Sequence, residues 1–171
     1  PCNPAIGGPA KGQIVAEIDA LGGEMGLAAD NTFIQMKVLN RSRGPAVQCL
    51  RSQNDKREYS KYMYKALLNQ DNLELKQAEI TALIYNENTV VGVVTDLNKV
   101  YYSNSVVLTS GTFLKGKIHT GLDSFEAGRQ GEFAANSLSA SLKKFLRLGR
   151  LKTGTPPRLD ARTIDFSKMV P

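Results

Sequence analysis

The residues best suited to chemistry stand in the first twelve positions, Pro1-Cys2-Asn3-Pro4-Ala5-Ile6-Gly7-Gly8-Pro9-Ala10-Lys11-Gly12. Cys2 carries a thiol, and a thiolate is a strong nucleophile wherever a helix N-terminus lowers its pKa. The prolines fix φ and remove N–H donors. The glycines admit positive φ and close approach of a ligand. An apolar helical pattern follows, with Ile14, Ile18 and Leu21 on one face. Its free N–H groups and dipole favour an anion or a thiolate. The stretch therefore suits a cofactor-facing turn. No strand is expected ahead of it, and its glycines do not have the G-x-G-x-x-G spacing of a dinucleotide fingerprint.

A second candidate wall is Thr109-Ser110-Gly111-Thr112, after the apolar run Val106-Val107-Leu108. Such a run has the pattern of a buried parallel strand. Ligands of open α/β sheets bind beyond the carboxyl ends of such strands. Two basic segments supply phosphate donors: Arg41 and Arg43 with Arg51, and the loop Gly149 to Arg158 with Arg150, Lys152, Thr153 and Thr155 held stiff by Pro156-Pro157. Phosphate contacts of this kind position a polyanion without specifying it. His119 is the sole imidazole, and Cys2 and Cys49 are the two cysteines, which excludes a Cys/His zinc site within this chain. The cysteines leave a disulfide or two free thiols open, with free thiols favoured in a reducing compartment. A Ser-His-Asp triad has only His119 to use, and no G-x-S-x-G elbow is present.

The elements that must position these groups read as follows. A helix over 12–21 stops at Gly22-Gly23, and 26–31 reads as loop. A strand follows at 32–39, then a basic turn, a short apolar stretch at 46–50, and a capping segment at 52–55. A helix runs to about residue 69, with Tyr59, Tyr62, Met63, Ala66 and Leu67 as a packing stripe. Alternating strands are expected at 73–78, 79–85, 89–95 and 100–103, and the short buried strand at 106–109. Residues 115–133 read as loop, and 137–147 as a helix with Leu138, Leu142 and Phe145 facing inward.

At 42% apolar, 171 residues fit one globular α/β domain of ordinary size. No apolar run approaches a membrane span, and no signal-peptide pattern opens the chain. The absence of an initiator Met suggests an internal piece of a longer protein. The net charge is +6. Lys37–Lys65 and Lys143–Lys168 each carry eight Lys/Arg against two acids, which fits either a polyanionic partner such as nucleic acid or solvated helix faces with ordinary ion pairs.

Several blocks carry a resemblance. They are Cys2-Asn3-Pro4-Ala5-Ile6-Gly7-Gly8, Glu17-Ile18-Asp19-Ala20-Leu21-Gly22-Gly23, and Gly44-Pro45-Ala46-Val47 with Arg51, Gln53 and Asp55. They continue with Gly111-Thr112-Phe113-Leu114, Gly116-Lys117-Ile118-His119, Gly149 to Arg158 and Asp160 to Phe166. In this order the chain resembles the glucose-inhibited division protein A (GidA/MnmG) family. That family comprises the FAD-binding large subunit of the tRNA uridine 5-carboxymethylaminomethyl modification enzyme. The resemblance implies an α/β fold: part of a Rossmann-like FAD/NAD(P)-binding domain with a parallel sheet and an inserted antiparallel β-meander. Residues 1–171 would be a partial FAD-binding domain, with the glycine fingerprint upstream and the C-terminal domains downstream.

The resemblance implies that Cys2 is catalytic. It implies FAD contacts from Asn3, Pro4, Ile6, Gly7, Gly8, Ile80, Thr109, Gly111, Thr112 and Ala135. Arg41, Arg43, Arg51, Arg150, Lys152, Thr153 and Thr155 would bind substrate or phosphate. NADH and methylenetetrahydrofolate would be co-substrates, tRNA the substrate and a GTPase subunit the partner. The full-length protein would be a homodimer, cytoplasmic rather than mitochondrial. The rival readings are an FAD-free RNA- or partner-binding module and the related folate- and FAD-dependent tRNA uridine methyltransferase.

Overall fold

A computed structural model describes residues 4–152, 154 and 159–169. They divide into two compact units, one up to Lys76 and one from Gln77 onward. The first unit holds β1 (Ala5–Gly7), α1 (Lys11–Ala20), α2 (Glu24–Thr32), β2 (Phe33–Leu39), β3 (Cys49–Asn54) and α3 (Lys56–Leu68), in that order. Its sheet has β3 in the centre, antiparallel to β1 on one edge and β2 on the other. Arg51 thus lies opposite both Gly7 and Lys37. A Cβ on Gly7 would meet the Leu50 carbonyl oxygen at 2.3 Å, and φ there is +85°, so β1 approaches β3 this closely only as glycine.

The expected stop of α1 forms. Gly22 takes φ +82°, its N–H donates to the Asp19 carbonyl at 2.9 Å, and the Gly23 N–H donates to that of Ile18 at 2.8 Å. The expected loop at 26–31 is instead part of α2. Gly26, Asp30 and Asn31 argue against a helix by propensity, but tertiary packing overrides them. Ala28 and Ala29 are fully or almost fully buried. A side chain on Gly26 would come within 2.7 Å of the Asp19 carboxylate. Asn31 and Thr32 turn their polar groups back onto the helix, donating to the carbonyls of Leu27 and Ala28. Residues 52–54 extend β3 rather than capping a helix. Asn54 is buried, and its amide donates to the Ala29 carbonyl and to the Thr32 hydroxyl, tying β3 to α2.

The second unit holds β4 (Ile80–Asn86), β5 (Thr89–Thr95), β6 (Val100–Tyr102), β7 (Lys117–Thr120), β8 (Asp123–Glu126) and α4 (Asn136–Leu142), with single 3-10 turns at 161–163 and 166–168. The β4–β5–β6 meander is the antiparallel one expected. Residues 73–79 form no strand: among the described residues no strand pairs with them, the Glu79 carbonyl accepts from the Asp96 N–H at 2.9 Å, and they stay exposed. Residues 117–126, expected as loop, close into the β7–β8 hairpin, with Gly121 at φ +61° in its turn. α4 ends earlier than expected. Beyond Leu142 the backbone tightens into shorter-range bonds, Lys144 N–H to Ser141 and Phe145 N–H to Leu142. Phe145 stacks on Tyr85 with ring centroids 3.8 Å apart.

The expected buried strand at 106–109 does not form, and Val107 is 84% exposed. A continuously apolar run becomes a buried strand only where a sheet receives it. Among the described residues none does. Every strand pair described is antiparallel, and the one parallel contact is the isolated bridge between Leu114 and Ala135.

Candidate functional site

In the first unit a strand does precede the glycines, contrary to the sequence expectation. β1 leads into Gly7 at φ +85°, Gly8 at φ +94° and Ala10 at φ +62°, and α1 begins at Lys11. The Gly8 N–H donates to the Leu50 carbonyl at 2.8 Å. The N–H groups of Lys11 and Gly12 both donate to the Gly8 carbonyl, at 3.1 and 2.7 Å. These donors of the first turn are therefore used internally rather than left for an anion. Gly8 itself is buried, and a Cβ there would meet Arg51 Cδ at 4.0 Å, so the turn carries no side chain of its own where the Arg51 side chain passes it.

Arg41 and Arg43 sit exposed in the turn that joins β2 to β3. Asn40, at φ +58°, donates its amide to the Val47 carbonyl at 2.9 Å, and Gln48 donates to that of Arg43 at 2.9 Å. The turn leaves the sheet at the Cys49 end of β3, where Leu39 pairs with Cys49 and the Gly8 N–H bonds Leu50. The structure thus gathers Arg41, Arg43, Arg51, Gly7 and Gly8 at one end of the sheet. Pro4 and Ile6 line β1, half-buried. At the other end the Asn54 N–H donates to the Pro4 carbonyl at 2.8 Å, and Asp55 caps α3. Cys2 and Asn3 lie outside the described residues. Cys49 is free and buried, a small packing residue.

α3 carries the clearest electrostatics. The Asp55 carboxylate accepts from the N–H groups of Glu58 and Arg57, which holds it below the ordinary carboxylate range. Burial pushes the Tyr59 phenol up. A hydrogen bond to Glu24 of α2 does the same, first among its causes, for Tyr62. A hollow of about 430 Å³ between the end of α2 and α3 is lined by residues that include Phe33, Lys61, Tyr62 and Lys65.

In the second unit Thr112, Ala135 and Arg150 come together around one turn. Thr112 donates its hydroxyl to the Gly128 carbonyl at 2.8 Å. The Ala135 N–H bonds Phe113 at 2.9 Å, and Arg150 reaches the Lys115 carbonyl at 2.6 Å. Gly111, at φ +52°, faces open space. Thr109 ends no strand and is exposed. Ile80 opens β4 opposite Thr95, with no hydrogen bond to that cluster. His119 is exposed on β7, opposite Ser124. Lys152 is exposed, and Thr153 and Thr155 lie outside the described residues. A hollow of about 280 Å³ is lined by Lys115, Lys143, Asn136 and Glu126 among others, with Asn136 donating to Glu126 at 2.7 Å. Sequence reasoning missed Lys115 and Asn136. Lys115 takes φ +48°, which no residue type announces.

A family model described as "Glucose inhibited division protein A" matches residues 1–171. The chain belongs to this family. It is 56% identical over 168 residues to the tRNA uridine 5-carboxymethylaminomethyl modification enzyme MnmG of Thermodesulfovibrio yellowstonii, and covers 27% of that protein. The MnmG of Nitratiruptor sp. is also 56% identical, over 169 residues. Two crystal forms of Aquifex aeolicus GidA superpose with TM-scores of 0.85 and 0.86 at 53% identity, over 98% of this chain and 28% of theirs. The chain thus spans little more than a quarter of the relatives it matches. Within a GidA protein, β1 with its glycine turn and the 110–116 turn are two local pieces of a larger α/β framework.

Proposed function

We propose that the complete protein carrying this chain is a flavoprotein that modifies C5 of the wobble uridine of certain tRNAs, adding a carboxymethylaminomethyl or aminomethyl group. The observation that carries this is the end-to-end family match, with relatives of 56% identity named as tRNA uridine 5-carboxymethylaminomethyl modification enzymes. The first unit supports it, because β1 ends in a Gly7–Gly8 turn without side chains and the exposed Arg51 lies opposite Gly7, a cation suited to an anionic cofactor such as FAD. Pro4 and Ile6 would line the ring system, Arg51 would meet a phosphate, and Ile80, Thr109, Gly111, Thr112 and Ala135 would contribute further contacts. FAD, once bound, would supply flavin redox chemistry alongside NADH, while methylenetetrahydrofolate would donate the one-carbon unit to C5 and an amine would complete the group. Cys2 supplies this chain's reactive thiol. Arg41 and Arg43, exposed on the basic turn, and Arg150 and Lys152 with Thr153 and Thr155 bind tRNA or cofactor phosphates. A GTPase subunit works with the protein, which is a cytoplasmic homodimer. Strands elsewhere in the polypeptide receive Val106–Thr109 as part of a parallel sheet.

The test is nucleoside analysis of tRNA from cells lacking the gene, complemented with the full-length protein or its Cys2→Ser variant. Wild type restores the modified uridine. Cys2→Ser retains the flavin absorbance of the purified protein but restores none. Complete modification without the gene would sink the function, and full restoration by Cys2→Ser would remove Cys2 from catalysis.

A further inference from the structure

We infer that the outward face of α3 is a docking surface for tRNA, a track for its backbone with one stacking point. The inference rests on the tRNA-modifying reading above. Lys56, Arg57, Lys61, Tyr64 and Lys65 recur at spacings of one, three and four, which places them on one side of the helix, and all five are exposed. Tyr59, Tyr62 and Met63 occupy the half-buried other side, where α3 packs against α2. Two acids lie on or beside the face. Glu58 pairs with Lys61 at 2.7 Å, and Asp55 is engaged in the cap. Lys56, Arg57 and Lys65 form no salt bridge among the described residues, so three cations are free to meet phosphates.

Tyr64 is 58% exposed amid these cations. An exposed aromatic interleaved with Lys and Arg fits RNA, since every unpaired base offers a face to stack on and the cations track the backbone. An acidic protein partner would satisfy the charges but leave the ring without a role. The hollow beside the face adds Phe33, 53% exposed, between α2 and Lys61. Placement supports the same occupant. α3 leaves the sheet at the end where Pro4, two residues on in sequence from Cys2, is held by Asn54. An RNA lying along α3 runs toward the start of β1, whereas the glycine turn and Arg51 sit at the opposite end of the same sheet.

The test uses the full-length flavoprotein and unmodified substrate tRNA, with affinity measured against salt concentration. Replacing Lys56, Arg57 and Lys65 together by Ala lowers affinity at least tenfold at low salt. It also reduces the slope of log affinity against log salt by roughly 2–3, close to one for each phosphate that the variant no longer neutralises. Tyr64→Ala lowers affinity about tenfold with the slope unchanged, and Tyr64→Phe restores it. Flavin content and melting temperature stay at wild-type values, because every substituted side chain is exposed. A triple variant with wild-type affinity and slope would overturn the surface while leaving the function standing. A wild-type protein that retains no tRNA would instead sink the function and, with it, this surface.

Discussion

β3 has a hydrogen-bonded strand on each edge and two helices against it, so Ile6, Gly7 and Arg51 are placed by the β1–β3 register, and the turn carrying Arg41 and Arg43 starts from the same sheet. The second unit has no such strand for its candidate residues. Thr112 and Arg150 are each held by one hydrogen bond, Ala135 by a short two-bond bridge to 113–115, and Val107 and Leu108 in the apolar run before them are exposed. The first unit holds its candidate residues on local elements. The second holds its own in loops. If that contrast is right, backbone changes in the first unit cost more than equivalent ones in the second.

The largest effect belongs to Gly7→Ala. The new Cβ would stand 2.3 Å from the Leu50 carbonyl oxygen at a φ of +85°. Overlap and left-handed strain together cost about 3–5 kcal/mol of local stability. Hydrogen exchange of the β1–β3 amides in the full-length protein reads this directly. The counterpart in the second unit is Gly116→Ala, where the Cβ would lie 2.5 Å from both the Thr112 and the Ala127 carbonyl oxygens. It costs about 2–3 kcal/mol. Gly111→Ala, at φ +52° in open space, costs only about 1 kcal/mol. Should Gly116→Ala loosen its unit as much as Gly7→Ala loosens the first, the loops are as rigidly held as the sheet and the contrast fails.

These same positions show what is legible in the sequence. The stop at Gly22-Gly23, the Asp55 cap of α3, the Tyr59, Tyr62, Met63 and Ala66 part of its stripe and the β4–β5–β6 meander all rest on signals within a few residues and form as expected, whereas Leu67 of the stripe is exposed. Val106–Thr109 misleads because the meaning of an apolar run depends on its partner, which lies outside any local window. α2 is hidden for a related reason. Its propensity is poor, and the packing of Ala28 and Ala29 that stabilises it is visible only in three dimensions. Gly7 and Gly8 are legible as positions needing freedom, but the strand before them is not, since three residues of β1 carry no period. Arg51 stands out by charge alone, and its place beside Gly8 follows only from the β1–β3 register.

A smaller effect bears on α3. Asp55 has its folded pKa lowered by the bonds it accepts from Glu58 and Arg57. A lowered folded pKa adds stability above the unfolded value, and that stability is lost as pH falls through the folded one. Protection of the first turn of α3 is therefore flat from neutral pH to about 4, then declines. Asp55→Asn keeps a capping acceptor but has no proton to gain, so its protection shows no such decline. An acid limb that survives in Asp55→Asn would assign the pH dependence to another carboxylate.

The smallest effect compares two ion pairs of the same sequence spacing. Glu58–Lys61 lies on α3, and Arg129–Glu132 lies in the second unit, both at 2.7 Å. Exposed pairs usually contribute little, because ordering two long side chains offsets a screened attraction. Arg129 differs in being held already. Its guanidinium sits over the Phe113 ring at 5.6 Å, it meets Glu132 through two nitrogens, and their backbones form an antiparallel bridge. Less freedom remains to be lost, so the Arg129–Glu132 coupling approaches about 1 kcal/mol in a double-mutant cycle and weakens with salt. A Glu58–Lys61 cycle gives the smaller coupling. The reverse order would show that the irregular 127–132 segment is ordered by something other than these contacts.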